Sequence, residues 1–481
     1  MTKTADSKLS CPVSRMCGGC QWMGESYEKQ LQKKQQRVQE LLKGICPKVN
    51  PIVGMETAPC HYRNKVHAAF AEDERGRIIS GVYAQGTHRV IPVEECLIED
   101  QRADQVIGVI RRLMEKFRIR PYDEDSGRGL VRHVLIRVGK MTGQMLVVLV
   151  IGNSHFPARA AFVQQLVKEC PFITSVVVNL NGFKTSMVLG PSSRTVHGKG
   201  FIEDVLCGKR FGISPQSFYQ INHAQTEKLY SLAVRYAGLT GNERLLDAYC
   251  GIGTIGLVAA DHCKEVISVE LNKDAVQDAI RNARRNNAQN IRFFQGDAGQ
   301  FIRGMAARKE HLDVVMMDPP RAGSDEKFLK SVCTLKPERV VYVSCMPETL
   351  ARDLKYLTKN GYRCVEATPV DMFPHTHHVE TVILLSRKTP DAIIEIDLEM
   401  SELDLTRAES KATYKEIEEY VQNKYGLHVT NLYIAQVKRE FGIIERINYN
   451  VGDGKSRVPQ VTPEKREAII DALKYFQMIE V

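Results

Sequence analysis

Residues 245–256 read Leu-Leu-Asp-Ala-Tyr-Cys-Gly-Ile-Gly-Thr-Ile-Gly, an apolar start followed by three glycines. The start predicts a buried parallel strand that ends at Asp247, and the glycines predict a tight turn that opens a helix. Glycine lets the backbone pass close to a ligand, and the first turn of a helix offers free N–H groups. A second apolar strand ends at Glu270, where an acid holds a ribose hydroxyl in folds of this kind. This stretch predicts a doubly wound α/β domain for a nucleoside cofactor, and it leaves NAD and S-adenosylmethionine (SAM) both open.

Beyond Glu270 the predicted helices and strands continue to alternate, as in a Rossmann-like sheet. Because the carboxyl ends of parallel strands meet at one edge, the residues that follow them should lie together. Asp297 follows one predicted strand, on the side where adenine binds in such a fold. Asp318 opens the stretch Asp-Pro-Pro-Arg-Ala-Gly, Cys345 follows a later strand, and Glu380 precedes the last one. We therefore expect these four side chains at a single edge of the sheet.

A cysteine and a glutamate at one sheet edge indicate covalent chemistry on a pyrimidine. Uracil C5 is too weak a nucleophile to take a methyl group directly. A thiolate that adds to C6 turns C5 into an enolate carbon, which can attack the methyl group of SAM. A base then removes the C5 proton and the thiolate leaves, so Cys345 is the candidate nucleophile and Glu380 the candidate base. An aromatic residue after Asp-Pro-Pro would indicate amino-group methylation instead, and Arg321 stands there.

Four cysteines need a separate explanation. Cys11, Cys17 and Cys20 form C-x5-C-x2-C, and Cys96 follows much later in the sequence. Disulfides are disfavoured in the cytosol, and such thiols suit a soft metal centre, either zinc or an iron–sulfur cluster. Zinc sites more often consist of two C-x2-C pairs, so the three-plus-one arrangement favours a 4Fe–4S cluster. No redox partner is evident, so a structural role is expected.

The remainder of the N-terminal region predicts an α+β domain. A helix at 25–44 carries several basic side chains, Lys34 among them, on a face that we interpret as solvated. Short strands between 60 and 210 predict an antiparallel sheet. Direct RNA contact by Arg63 or Lys65 is left open.

The last ninety or so residues predict a small helical extension. An acidic linker at 393–404 leads to helices at 411–425 and 430–441, and Thr462 begins a third. Two short helices around a glycine turn can form a helix-turn-helix, although a helical docking module is the more common arrangement. The sequence does not assign a partner to this extension.

Composition describes a chain of several domains. The 481 residues, 43% of them hydrophobic and 26% charged, suffice for about two to four domains. We expect an iron–sulfur and α+β RNA-recognition domain at 1–210, a SAM-dependent methyltransferase domain at 211–388 and the helical extension at 389–481. The sequence shows no signal peptide and no membrane-spanning apolar segment, so we expect a cytoplasmic protein without membrane contact. The net charge of +9 modestly favours binding to polyanions.

From Cys11 to about Arg387 the sequence resembles the bacterial RNA uracil-C5 methyltransferase family. The resemblance is carried by the four cysteines and, in order, by Ser-Phe-Tyr-Gln-Ile-Asn, Asp-Ala-Tyr-Cys-Gly-Ile-Gly-Thr, Asp-Pro-Pro-Arg-Ala-Gly, Val-Ser-Cys-Met-Pro and His-Val-Glu-Thr. It implies SAM-dependent formation of 5-methyluridine, with Cys345 as nucleophile and Glu380 as base. It further implies a SAM pocket lined by Gln220, Tyr249, Glu270 and Asp318, to which we add Asp297, and a 4Fe–4S cluster held by Cys11, Cys17, Cys20 and Cys96.

The cysteine set resembles the ribosomal RNA branch of the family, which favours 23S rRNA as substrate. Two features depart from the family pattern. The ten residues before Cys11 leave no room for the small β-barrel that many members carry there. The sequence therefore leaves open how RNA is bound. Met346 stands where relatives often have asparagine, a change that we expect to alter only the turn.

Four other functions share part of this sequence pattern. Transfer RNA methylation is disfavoured by the cysteine set, and cytosine-C5 methylation needs a different context around its nucleophile. A hydride-transfer enzyme fits the glycine turn but leaves Cys345 and Glu380 without a role. A non-catalytic RNA-binding or assembly factor has no need of an intact nucleophile and base.

Overall fold

A computed structural model describes residues 9–388, 414–441, 461–476, 478 and 479. The chain divides into two compact units, Met1–Pro390 and Asp391–Val481. In the described ranges, none of the helices combines the length and apolar character needed to cross a membrane.

The N-terminal part of the first unit is built around a seven-stranded sheet with the order β3-β2-β1-β4-β5-β6-β7. Its elements are α1 (Ser14–Cys17), α2 (Tyr27–Leu42), β1 (Lys65–Glu72), β2 (Ile78–Tyr83), β3 (Val90–Pro92), α3 (Gln101–Lys116), β4 (Val131–Val138), β5 (Met145–Ile151), α4 (Arg159–Glu169), β6 (Ile173–Leu180) and β7 (Ser192–His197), followed by a hairpin of β8 (Ile202–Leu206) and β9 (Lys209–Ile213). The sheet is antiparallel as predicted, except that β5 and β6 are parallel. Helix α4 connects those two strands, since parallel neighbours need a crossover.

This sheet is covered on both faces. Every residue of β4 and β5 is buried, because α3 and α4 pack on one face while β8, β9 and the following helix cover the other. A strand buried on both sides has no polar alternation, which is why β5 is a continuous apolar run. Strand β4 is equally buried but also carries Arg132, His133 and Arg137.

The second sheet has the order β12-β11-β10-β13-β14-β16-β15. Its elements are α5 (His223–Ala237), β10 (Arg244–Ala248), α6 (Thr254–Ala259), β11 (Glu265–Glu270), α7 (Lys273–Arg285), β12 (Ile291–Gln295), α8 (Ala298–Ala307), β13 (Val314–Met317), α9 (Glu326–Leu335), β14 (Arg339–Ser344), α10 (Pro347–Lys359), β15 (Tyr362–Val370) and β16 (Glu380–Arg387). Strands β10 to β14 pair in parallel, and β16 is antiparallel to both its neighbours. The chain reverses its winding between β10 and β13, the place where doubly wound sheets bind ligands. The predicted doubly wound α/β fold is confirmed.

Helix α2 packs on this second sheet rather than on the first. Its buried residues, Gln30, Lys34, Val38 and Leu42, recur every four positions, and Val38 and Leu42 join the core that contains Tyr362. The prediction that Lys34 lies on a solvated face is wrong, since its side chain is completely buried. Lys34 lies on the same helical stripe as Val38 and Leu42, so its position on the helix, rather than its charge, determines where it points.

The second unit contains three short helices among its described residues. They are α11 (Tyr414–Tyr425), α12 (Asn431–Glu440) and α13 (Pro463–Tyr475). All three pack around a small core that includes Ile417, Ile434 and Ile469. The linker predicted at 393–404 lies outside the described residues.

Candidate active site

The glycine-rich turn after β10 has a strongly constrained backbone. Tyr249, Gly251 and Gly253 all have positive φ, at 66°, 57° and 83°. Gly256 is required by a close approach, because a Cβ there would come within 2.5 Å of the Asp247 carboxylate. Its N–H instead donates to Asp247 Oδ2 at 3.0 Å, which anchors the first turn of α6 to the end of the strand.

Glu270, the last residue of β11, braces the same turn. Its Oε2 accepts from the N–H of Gly251 at 3.0 Å, and its Oε1 accepts from the N–H of Asn272 at 2.8 Å. Both oxygens are therefore held next to the glycine-rich turn, and the carboxylate remains partly exposed there.

A cavity of about 650 Å³ opens at the carboxyl edge of the sheet. All seven of the catalytic and cofactor residues expected from the sequence line this one cavity: Gln220, Tyr249, Glu270, Asp297, Asp318, Cys345 and Glu380. Asp297 is the exposed member and also caps α8 by accepting from the N–H of Gln300 at 2.8 Å. The structure thus brings together residues separated by up to 160 positions, from Gln220 to Glu380.

The register of the last strand places Cys345 beside Glu380. Strands β14 and β16 are antiparallel, with Ser344 opposite Thr381. Continuing this pairing by one residue brings Cys345 opposite Glu380. An antiparallel strand begins where its parallel neighbours end, so β16 delivers its first residue to the edge that the other strands reach with their last.

Burial raises the pKa of three acidic groups in this cavity, Glu380, Asp318 and Cys345, and repulsion between negative charges adds to the rise for Glu380 and Cys345. Glu380 is only 3% exposed, and burial followed by the charge of Asp318 raises its pKa to about 8, while Arg321 opposes the rise. Burial raises the pKa of Asp318 to about 7. For Cys345, burial and then Glu380 and Asp318 raise the thiol pKa to about 11. Each of these shifts disfavours additional negative charge, so the cavity is suited to a ligand that carries positive charge.

The cavity lining also includes residues that the sequence did not single out as site residues, among them Phe218, Phe373 and His378. Phe218 is 63% exposed, which is unusual for a large apolar side chain. Its loop is nevertheless held firmly, because the buried Arg137 donates to the carbonyl of Ser217 and Asn64 Nδ2 donates to the carbonyl of Gln220 at 3.0 Å. No local sequence signal predicts such exposure, since it depends on partners far away in the chain.

The predicted metal ligands lie apart from this cavity, in the N-terminal region. Cys11, Cys17, Cys20 and Cys96 line a second cavity of about 390 Å³, together with Arg63, Lys65 and His67. Burial, and then Cys17 and Cys11, raise the pKa of Cys20 to about 11, and burial raises that of Cys96 to about 12. Within the described ranges, no three His, Cys, Asp or Glu side chains are arranged to hold a metal ion. The thirteen cysteines form no disulfides.

Comparison with known proteins agrees with the fold. The model of the tRNA (uracil-5-)-methyltransferase family matches residues 205–388. The chain is 42% identical over 382 residues to an uncharacterised RNA methyltransferase of Halalkalibacterium halodurans, covering 79% of this chain and 83% of that protein. A similar protein of Staphylococcus aureus is also 42% identical, over 79% of this chain and 84% of its own length.

A solved structure is similar over most of the first unit. The tRNA (uracil-54, C5)-methyltransferase of Pyrococcus abyssi, in complex with S-adenosyl-L-homocysteine, shares 28% identity with a TM-score of 0.65, over 78% of this chain and 87% of that one. The doubly wound sheet and its edge cavity therefore define a SAM-dependent methyltransferase that acts on RNA. Within that class, the chain belongs to the RNA (uracil-5-)-methyltransferase family.

Proposed function

We propose that this enzyme methylates C5 of uridine in 23S ribosomal RNA through a covalent bond between Cys345 and C6 of the base. The observation that carries the proposal is the juxtaposition of a thiol and a buried carboxyl at the end of β14, inside the cavity that also holds Glu270 and Asp318. A binding factor needs neither group. A hydride-transfer enzyme has no use for the thiol.

The chemistry assigns one task to each group. The thiol of Cys345 loses its proton to water and adds to C6, so that C5 carries the electron pair. SAM supplies an electrophilic methyl group on a sulfonium. C5 attacks that methyl group, the S–CH3 bond breaks, and S-adenosyl-L-homocysteine is left as a neutral thioether. Glu380 then takes the C5 proton, the C5–H electron pair re-forms the C5–C6 double bond, and the C6–S bond breaks with its electrons returning to sulfur. A sulfonium in the cavity offsets the negative charges that raise the pKa of Cys345, and so favours the thiolate.

The remaining cavity residues are proposed to hold the methyl donor. Glu270, braced by two backbone N–H groups, is placed to accept from the ribose hydroxyls. Asp297 lies on the adenine side, and Gln220, Tyr249 and Asp318 line the rest of the pocket. In this proposal residues 1–210 recognise RNA, 211–388 bind SAM, and 389–481 contact a partner that we do not assign.

Cys11, Cys17, Cys20 and Cys96 are proposed to hold a 4Fe–4S cluster. Support comes from the donor set, four free thiols around one cavity. Four cysteine thiolates are the ligand set that such clusters take, so the residue types present would fit the group. When bound, it would crosslink the start of the chain to the segment that precedes α3.

Anaerobic purification of the full-length protein is expected to give a brown, iron-loaded enzyme. Four thiolates bind iron–sulfur clusters strongly, and the cluster absorbs visible light. Iron, sulfide and zinc should be quantified, with the Cys20→Ser variant expected to lose the colour and Cys333→Ser, on α9, expected to keep it. Stoichiometric zinc in place of iron would overturn the cluster assignment.

The choice of RNA rests on the cysteine set, which resembles the ribosomal branch. Transfer RNA is the second candidate, favoured by the similarity to a tRNA (uracil-54, C5)-methyltransferase. A ribosomal substrate also agrees with the cytoplasmic localisation expected from the sequence.

The deciding experiment maps 5-methyluridine by mass spectrometry in ribosomal and transfer RNA from cells with and without the gene. Loss at one or more 23S positions is the expected result, and it names the target. Loss only in transfer RNA selects the second candidate. No loss in either RNA contradicts the proposal and returns the binding factor to consideration.

A further inference from the structure

The segment between β15 and β16, residues 371–379, carries Glu380 into the active-site cavity. Six of its nine residues are buried: Asp371, Met372, Pro374, His375, Thr376 and Val379. Phe373 and His378 of the same segment line the cavity. The placement of Glu380 against Cys345 thus depends on what holds this segment.

A buried ion pair from helix α2 holds its first residue. Lys34 Nζ lies 2.5 Å from Asp371 Oδ1, and both side chains are completely buried. The same Nζ donates to the carbonyl of Phe373 at 3.0 Å. Burial lowers the pKa of Lys34 and Asp371 counters this effect. One ammonium group therefore fixes a side chain and a backbone carbonyl of the segment at once.

Two more side chains on α2 continue the contact. Gln30, one turn before Lys34, accepts from the N–H of His375 at 2.8 Å, and its Nε2 lies 3.2 Å from His375 Nδ1. Arg37, one turn after Lys34, donates to the carbonyl of His377 at 2.9 Å. Positions 30, 34 and 37 lie along one side of a helix. Helix α2 therefore contacts the 371–379 segment at three points.

His375 shows how tightly the segment is held. Its φ is +66°, which is uncommon for any residue other than glycine. The strained turn is tied down on both sides, since the N–H of Trp22 donates to the His375 carbonyl at 3.0 Å and His375 Nε2 lies 2.9 Å from the carbonyl of Pro59. Burial lowers the pKa of His375, which favours the neutral ring. A neutral ring lets Nδ1 accept from Gln30 Nε2 while Nε2 donates to the carbonyl of Pro59.

We infer that helix α2 positions the catalytic base: Lys34, Asp371 and Gln30 are positioning residues that fix the 371–379 segment and thereby hold Glu380 at the C5 proton. This inference rests on the proposed function of Glu380. Stability alone does not account for the pair, because a buried ion pair loses as much in desolvation as it gains and is often replaced by apolar side chains without loss. Apolar side chains cannot replace the ammonium group of Lys34, which donates both to the Asp371 carboxylate and to the carbonyl of Phe373.

The test uses the full-length double variant Lys34→Met, Asp371→Leu. It removes both charges together and leaves no unpaired buried ion. SAM binding is expected to stay unchanged, because Glu270 and the glycine turn are untouched. Turnover is expected to fall by about 10- to 100-fold, since small displacements of a general base cost that much. The diagnostic result is accumulation of the covalent RNA adduct on a denaturing gel, because only the step that uses Glu380 is slowed.

The matched control is Lys33→Met, the neighbouring lysine on the same helix. Lys33 pairs with Glu25 at 2.6 Å and is 40% exposed, so this variant should turn over as wild type without adduct. If the double variant does not fold, Gln30→Met decides, since it leaves the ion pair and removes the two contacts to His375.

Two outcomes overturn the inference. The first is a folded variant with wild-type turnover, and the second is lost turnover without adduct, which indicates a general disturbance of the site. Failure of the proposed function is distinguishable, because then Glu380→Gln in an otherwise wild-type enzyme gives no adduct either.

Discussion

Replacement of Cys345 by alanine is expected to abolish methylation while SAM still binds. The thiol supplies the only covalent route by which C5 gains enough electron density to attack a methyl group, and loss of a catalytic nucleophile commonly costs about 10⁶-fold in kcat. Glu270, at the end of β11, and Tyr249, in the turn after β10, are the residues proposed to hold SAM, and neither depends on this side chain. Transfer of labelled methyl groups to RNA measures the loss, and calorimetric titration with SAM measures binding.

Cys333→Ala is the matched control for this experiment. Cys333 is also a partly buried free thiol, but it lies on α9 and does not line the active-site cavity. This control should methylate RNA at the wild-type rate. If Cys345→Ala retains turnover, Cys345 loses its role and the covalent route fails with it.

Replacement of Glu380 by glutamine is expected to trap the enzyme on its RNA. Glutamine keeps the shape of the side chain but cannot take the C5 proton, so the reaction stops after methyl transfer with the C6–S bond intact. A slowly migrating protein–RNA species on a denaturing gel is the measurement, and turnover should fall by about 10²- to 10⁴-fold. Glu338→Gln, on the surface beside Arg339, should leave no adduct.

The pH dependence of turnover should also distinguish the Glu380→Gln variant from the wild type. A base with a pKa of about 8 is protonated below that pH, so wild-type turnover should rise as pH increases through about 8. The glutamine variant has no such group, and its residual turnover should lack that rise. Adding Cys345→Ala to Glu380→Gln should remove the trapped species. An adduct that survives without Cys345 contradicts the assigned nucleophile.

Much of the methyltransferase fold could be predicted because its signals are local. The glycine turn after β10 and the apolar runs of β11, β13 and β14 each lie within a few residues. Strand ends in a parallel sheet share one edge whatever the intervening helices are, so the clustering of Asp318 and Cys345 follows from topology alone. Strand β7 was not predicted, since it is almost wholly exposed and shows no alternation of polar and apolar residues. Strands β8 and β9 were not predicted either, although β8 does alternate between buried and partly buried residues.

The partners of the site could not be predicted because they are distant in sequence. Asp371 is 337 positions from Lys34, and nothing near either residue reveals the pair. The helical stripe through Val38 and Leu42 did contain a usable signal, because Lys34 lies on it, but a lysine is ordinarily assigned to solvent. The exposure of Phe218 likewise depends on Arg137, a residue of the other sheet.

The strand order β14-β16-β15 has a consequence for how the enzyme is made. Strand β16 is synthesised last of the sheet but inserts between two strands that already exist. Until it arrives, β14 is an open edge and β15 lacks its neighbouring strand in the sheet. The event that completes the sheet is therefore the same event that delivers Glu380 to Cys345. A chain cut short after Cys345 therefore carries the nucleophile on an unfinished sheet, because neither β15 nor β16 has yet been made.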